Sequence, residues 1–481
     1  MNILLTIFCN TVPLQAYYDH LYKWFTEQLQ NDNKINVKFL MIENYFKQNE
    51  EKHLLDNINP VKLENSNLNY IFNTSNFEEL YYKIHCSGIN ENEKQRLKEI
   101  YQKKFSNWLP DIIVSLGYES ASKIWHDIFP KALCLTQENA IFSRTPFKRT
   151  LSYDPYNSVP YNYLVRFSEQ IKSFKITEEQ NIKIEKLKKS IVSIINKHSE
   201  IDDEMFFYYK QKFDKFVLLP LIGNKYIELF KDCIYENEFE VVEQVLKNTP
   251  SNVGVFVTQH DSFASLKQED IKYFSEKYSN FICLKKTNVR GYSNNSLQYF
   301  KYIDAVFNIT SKTAFMALIW NKPVLSLSKT YNKWYQDGLG MEDINKVFNI
   351  SYKNKNNILY WYLTRYVMFE QDFYKKNFIY DYLNNKLNKY RKDGINFEFF
   401  EEINSVDKIF DYIIKSIIEY YDTQKRNNIE RTEEALKMAT YSLNAINEYE
   451  KILSKNKNLS IRQILSLLLS KIKEKIIKIA K

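Results

Sequence analysis

The chain has 481 residues and only 8 glycines, where average usage of about 7% would give roughly 34. With 44% hydrophobic and 26% charged residues it is globular, which excludes disordered, collagen-like and Gly/Pro-rich low-complexity classes. The net charge of +9 allows an anionic ligand or a membrane surface, and no nucleic-acid partner is expected.

In chain order, the apolar run Ile3–Phe8 reads as a first buried strand. It lacks the basic start and the longer apolar stretch of a secretory leader. Val37–Ile42, Ile112–Leu116 and Ala132–Thr136 follow as strands, separated by helical patterns. A polar stretch rich in Lys and Glu, Thr177–Lys212, then predicts a helical connection. Strands restart at Phe216–Leu221 and continue with Val253–Val257, Phe281–Leu284, Ala305–Ile309 and Pro323–Leu327. Strands alternating with helices imply βαβ crossovers and parallel sheets. The expected fold class is therefore α/β, with two Rossmann-like domains facing a cleft, residues 1–205 and 206–395. Beyond Asn396 the strand pattern stops. Phe397–Tyr421 and Gln424–Glu450 read as two helices within a third region, 396–450.

The last region, 451–481, ends in SIRQILSLLLSKIKEKIIKIAK. Ile461, Ile464, Leu465, Leu468, Leu469, Ile472, Ile476 and Ile479 recur at helical spacing, with Lys and Arg mainly off that stripe. Such a basic amphipathic helix suits either a membrane surface or packing on a neighbouring helix. No run of about 18 apolar residues occurs, so no transmembrane helix is expected.

The glycines exclude two phosphate-binding loops. Gly338 could begin G-x-G-x-x-G, but position 343 is Asp343, and no pair has Walker A spacing. A bound nucleotide would have to be held at a helix end capped by Ser or Thr. The five cysteines, Cys9, Cys86, Cys134, Cys233 and Cys283, are scattered without C-x-x-C, as in a reduced, cytosolic protein. No H-E-x-x-H or paired Cys/His spacing occurs, so no metal and no cofactor are expected.

The richest segment is Tyr302–Tyr335, YIDAVFNITSKTAFMALIWNKPVLSLSKTYNKWY. A strand ends in Thr310, Ser311, Lys312 and Thr313, a helical pattern follows, and Asn321-Lys322-Pro323 stops it before the next strand. Hydroxyls, free amides and a lysine at a helix start after a strand can bind phosphate without glycine. The same residues also make an ordinary N-cap.

This segment resembles the nucleotide-sugar site of GT-B glycosyltransferases, and is most similar to the bacterial capsule and surface-polysaccharide transferases. There a strand is followed by a Ser-Ser/Thr turn, a small residue, Glu-Ala-Leu and Gly-Lys-Pro-Val. Thr310, Ser311 and Lys312 take the turn, Ala314 the small position, Ala317-Leu318 match, and Asn321 replaces the Gly. Met316 stands where many members carry a ribose-binding Glu. VGVFVTQHD, Val253–Asp261, is similar to the strand that ends in a Lys-x-His-Pro motif, with His260 in the His position. The resemblance implies donor binding by Thr310, Ser311, Lys312, Thr313, Lys285, Arg290 and Asp261, with His260 at the reaction centre. It covers about residues 216–335.

In the first half, Gly117, Glu119, Ser120, Gln137, Glu138 and Asn139 are expected in loops after strand ends, facing the cleft. An inverting transferase needs a group to accept the acceptor hydroxyl's proton. Glu138 is the first choice and Glu119 the second, the alternative being solvated loop carboxylates. The implied activity is metal-independent transfer of a sugar, from a nucleotide-activated donor to a surface-glycan or lipid-linked acceptor at the inner membrane surface. The choice of a CMP-linked acidic sugar such as Kdo rests on the resemblance and on the basic residues near the site. A CDP-polyol phosphotransferase of the teichoic-acid type and a catalytically silent scaffold are the alternatives.

Overall fold

A computed structural model describes the chain except residues 7–34, 51–59, 85–87, 117–123, 144–145, 157–160, 199–202, 260–263, 284–294, 350–354, 374, 376 and 456–481. It forms two compact units, Met1–Ile417 and Ile418–Lys481. The first contains two sheets.

The first sheet is built from β1 (Asn2–Thr6), β2 (Asn36–Ile42), β3 (Pro60–Leu63), β4 (Ile112–Leu116), β5 (Leu133–Asn139) and β6 (Thr150–Asp154). The second holds β7 (Lys215–Pro220), β8 (Val253–Thr258), β9 (Phe281–Cys283), β10 (Ala305–Asn308), β11 (Val324–Ser326) and β12 (Gly338–Leu339). A last short strand, β13 (Met368–Phe369), rejoins the first sheet beside β6.

The first sheet runs β13-β6-β5-β4-β1-β2-β3 and the second β12-β11-β10-β7-β8-β9. Counted within each sheet, the parallel strands therefore stand in the Rossmann order, 3-2-1-4-5 in the first and 3-2-1-4-5-6 in the second. All pairings are parallel except β5 with β6 and β6 with β13. The central strands are continuous apolar runs because helices cover both faces. Val217, Leu218 and Leu219 on β7, and Val255, Phe256 and Val257 on β8, are all buried.

Each strand expected from the sequence is present, while β3, β6, β12 and β13 were not anticipated. β5 runs past Thr136 because β6 pairs with its far half, Glu138 opposite Ser152 and Asn139 opposite Leu151. Gln137, Glu138 and Asn139 thus lie on a strand rather than in a loop. The pairing of β13 also returns the chain to the first sheet by residue 368, inside the range 206–395 that the sequence suggested for the second domain.

The connecting stretch is the helix Glu178–Lys197 followed by Asp203–Lys210. Thr177 opens the longer helix with a reciprocal cap: its hydroxyl accepts from the Gln180 amide at 3.2 Å, and the Gln180 side chain accepts from the Thr177 amide at 2.8 Å. Ile184, Leu187, Ile191 and Ile195 form its buried stripe.

The abundant aromatics are largely core. Trp361 stacks on Tyr163 and Phe397, both at 5.9 Å, and Phe400 meets Tyr163 edge-on at 4.7 Å. The two helices expected after Asn396 are instead a single turn, Phe397–Phe399, and one helix, Val406–Lys455. Asn396 caps the short turn, Ser405 caps the long helix, and no Gly or Pro stands between Tyr421 and Gln424 to stop it. The Ser460–Lys481 stripe lies outside the described residues. Among the described residues no helix is long and apolar enough to cross a membrane.

Candidate functional site

In doubly wound sheets, ligands sit beyond the carboxyl ends of the strands where the strand order reverses. In the second sheet that reversal falls between β7 and β10. β10 ends at Asn308, whose fully buried side chain organises the turn beyond the strand. Its Oδ1 accepts from the Ser311 amide at 2.9 Å and its Nδ2 donates to Asn332 Oδ1 at 2.8 Å. Asn332, also fully buried, donates through Nδ2 to the Ile309 carbonyl at 2.7 Å and to the hydroxyls of Ser326 and Ser328 at 2.9 and 3.0 Å. Tyr335 donates its hydroxyl to Asn332 Oδ1 at 2.6 Å. This polar cluster in an apolar layer fixes the turn Thr310–Thr313.

Within the turn, Ser311 caps by accepting from the Thr313 amide at 3.3 Å, and its carbonyl takes the Ala314 amide at 3.2 Å. The amides of Ser311, Thr313 and Ala314 are therefore already engaged. The segment after it, Lys312–Leu318, is a 3-10 helix of 7 residues rather than a longer α-helix. Asn321 ends it in the left-handed region at φ 54°. That conformation is costly for most side chains but accessible to Gly and Asn, which accounts for Asn321 at a position where Gly is usual. Met316 is buried in the packing at 2% exposure, so it faces no ribose. Thr310 is 8% exposed, and its hydroxyl is buried without a hydrogen-bond partner.

The Lys312 side chain leaves this turn and reaches the first sheet. Its ammonium pairs with Glu138 Oε2 and also donates to the Asn139 carbonyl, both at the carboxyl end of β5. Lys312 and Glu138 side chains are 32% and 28% exposed. Aromatic residues flank the contact. Phe315 packs on Trp334 and Tyr362 with centroids 4.8 and 4.9 Å away, and the Tyr362 hydroxyl accepts from the Ile141 amide at 3.0 Å. Burial, with the Glu138 charge adding to it, pushes the phenols of Tyr331 and Tyr362 up.

The loop after β7 is held differently. Gly223 adopts φ 99°. The buried Glu238 carboxylate accepts from the Ile222 amide at 2.5 Å, from the Gly223 amide at 2.8 Å and from the Ser265 hydroxyl. Burial raises its pKa, against the lowering effect of those three bonds.

Of the candidates read from the sequence, the structure brings together Glu138 and Lys312, with Thr310, Ser311 and Thr313 in the same turn as the lysine. Glu119, His260, Asp261, Lys285 and Arg290 lie outside the described residues, as do Gly117, Ser120 and Gly291. Asn308, Asn332, Tyr335, Glu238 and Tyr362 were missed. Asn332, a small polar residue in the aromatic run TYNKWY, carried the one visible signal. Among the described residues no group of three or more His, Cys, Asp or Glu side chains is placed to hold a metal ion.

Two Rossmann units in one compact body, joined by side chains from the carboxyl ends of β5 and β10, define a GT-B type architecture. No family model matches the chain, and no curated protein does. Among solved structures it is similar to the beta Kdo 2,7 transferase of Thermosulfurimonas dismutans KpsC, at 14% identity and TM-score 0.38, covering 69% of this chain and 92% of that one. It is also similar to the N-terminal domain of Candida albicans trehalose-6-phosphate phosphatase, at 14% identity and TM-score 0.35, covering 80% and 96%. A third is Methanocaldococcus jannaschii UDP-GlcNAc 2-epimerase in complex with UDP-GlcNAc and UDP, at 13% identity and TM-score 0.30, covering 75% and 98%. The fold assignment rests on the two strand orders.

Proposed function

We propose that the protein is a metal-independent glycosyltransferase that takes a sugar from a nucleotide-activated donor. The observation that carries this reading is the meeting of Lys312 and Glu138, a cation and a carboxylate supplied by opposite sheets at their ligand-binding ends. Lys312, with the Thr310 and Ser311 hydroxyls, would receive the donor phosphate. Glu138 would accept the proton of the acceptor hydroxyl. The remaining work is positioning and neutralising the leaving phosphate. Arg290, Lys285, His260 and Asp261 are proposed at the donor side on the motif resemblance alone, and Glu119 as a reserve carboxylate. The motif resemblance also favours a CMP-linked acidic sugar as donor, and a surface-glycan or lipid-linked acceptor reached through the basic stripe at 460–481.

A nucleotide panel tests the reading. CMP, CDP, UDP or GDP at millimolar concentration should raise the melting temperature, and Ser311→Ala should weaken that effect. No stabilisation by any of the four refutes donor binding. Mass analysis of the transferred group then separates sugar transfer from transfer of a polyol phosphate. A second reading, a catalytically silent scaffold, is favoured by one observation: Met316 is packed in the core where related enzymes carry a ribose-binding Glu. That reading predicts no nucleotide effect at all.

A further inference from the structure

Lys312 is asked to hold a phosphate and Glu138 to take a proton, yet each already holds the other. One Glu138 oxygen, Oε2, is taken by the Lys312 ammonium, which is further held by the Asn139 carbonyl. About two thirds of each side chain is covered, so the pair is partly desolvated while still within reach of a ligand. The surroundings favour an exchange of partners. The turn amides of Ser311, Thr313 and Ala314 are spent on internal bonds, and the lysine ammonium is the full positive charge the turn carries. In the same turn the Thr310 hydroxyl is buried and unpartnered.

We propose that the Glu138–Lys312 ion pair is a latch opened by the donor phosphate, so that donor binding creates the base. The phosphate takes the lysine, and the released carboxylate turns to the acceptor. The acceptor oxygen then forms its bond to the anomeric carbon and its proton passes to Glu138. The bond from that carbon to the phosphate oxygen breaks, its electron pair leaves on the nucleotide, and Lys312 neutralises the added charge. With the latch closed, Oε2 of Glu138 is taken by Lys312, and donor binding frees it for the acceptor. This inference rests on the glycosyltransferase reading above.

The test is a double-mutant cycle on nucleotide affinity, measured by calorimetry with whichever of CMP, CDP, UDP and GDP stabilises the full-length protein. Glu138→Gln removes the competitor for Lys312 and should tighten binding about three- to fivefold, the scale of a part-exposed ion pair. In a Lys312→Met background the same change should leave affinity within about 1.5-fold, because there is no latch to open. Equal tightening in both backgrounds means simple charge repulsion and overturns the latch. Glu138→Asp separates the two in a variant that keeps the charge. Its shorter arm breaks the pair, so the latch predicts tighter binding where repulsion predicts none. Unchanged or weaker binding in both Glu138 variants overturns the latch but leaves donor binding standing. If no nucleotide binds the wild type or Glu138→Gln, the latch falls together with the reading beneath it.

Discussion

Asn332→Leu tests the cluster that positions the turn Thr310–Thr313. Leucine keeps the branched shape of asparagine, so the change removes polar contacts without opening a cavity. The Ser326 and Ser328 hydroxyls lie 3.0 Å apart and keep each other as partners. Asn308 Nδ2 retains the Tyr335 hydroxyl at 3.2 Å, but Tyr335 loses its acceptor and the Ile309 carbonyl loses its 2.7 Å donor. Two buried groups are thus orphaned, at about 1–3 kcal/mol each. The expected loss is about 3–4 kcal/mol, a large share of a typical stability of roughly 5–15 kcal/mol. Urea unfolding followed by tryptophan fluorescence measures it, since Trp334 lies beside the cluster. The exposed Asn349→Leu is the control, expected within about 0.5 kcal/mol of wild type. Asn308, freed from Asn332, would no longer fix the Ser311 amide, so nucleotide affinity should weaken as well. A loss below about 1 kcal/mol, or unchanged affinity, would refute the claim that this cluster builds the turn.

Asn321→Ala should cost about 1 kcal/mol because alanine is strained at φ 54°, whereas Asn321→Gly should be close to neutral; equal melting temperatures for the two would contradict the conformational argument. Lys386 is buried among Tyr382, Phe399 and Phe400, and burial pulls its pKa down from 10.5 to about 7. Between those values the unfolded chain carries a proton that the folded one lacks, so this group makes stability rise with pH from about 7 to 10.5. The full shift corresponds to about 5 kcal/mol, and the ring contacts and the bond to the Phe399 carbonyl offset part of it. Lys386→Met should therefore stabilise the protein by about 2 kcal/mol at pH 6 and by much less at pH 10; the same gap at both pH values would count against it. Removing residues 456–481 should release the protein from vesicles of anionic lipid without changing its melting temperature, and retained binding would exclude the basic stripe as the anchor.

The fold was readable because its strands are buried on both faces. β7 and β8, FVLLP and VGVFV, can be little else in a chain that alternates them with helices. The strands that escaped notice are those whose order comes from a neighbour. β6, TLSYD, is short, and its pairing to β5 and β13 is decided by tertiary contact rather than by pattern. The helix expected at Lys312 has the right position and a different geometry, since seven residues between a capped turn and a left-handed Asn close as 3-10. Within the site, Glu138 and Lys312 were each legible from their places after apolar runs. Their pairing was not, because no sequence spacing relates residues 174 positions apart. Nor did the sequence expose Asn332 or Glu238, whose importance comes from the buried amides and hydroxyls they satisfy.

The scarcity of glycine bears on how the proposed site would recognise a phosphate. Glycine-rich loops present backbone amides to phosphate, donors fixed in place and little affected by salt. Here the loop after β7 gives its Ile222 and Gly223 amides to Glu238, and the turn after β10 gives its Ser311, Thr313 and Ala314 amides to Asn308 and Ser311. In the turn after β10 the full positive charge open to an anion is the Lys312 ammonium. An ammonium one-third exposed is open to solvent ions, so added salt weakens its attraction for an anion, most of all beyond a Debye length of about 10 Å at 0.1 M salt. It is also already compensated by Glu138, so a ligand gains only the difference between two ion pairs. Both effects push the same way. Affinity for a nucleotide should fall with ionic strength in the wild type and fall more steeply once Glu138→Gln leaves the lysine uncompensated, and a salt-independent affinity would show that backbone amides hold the phosphate after all.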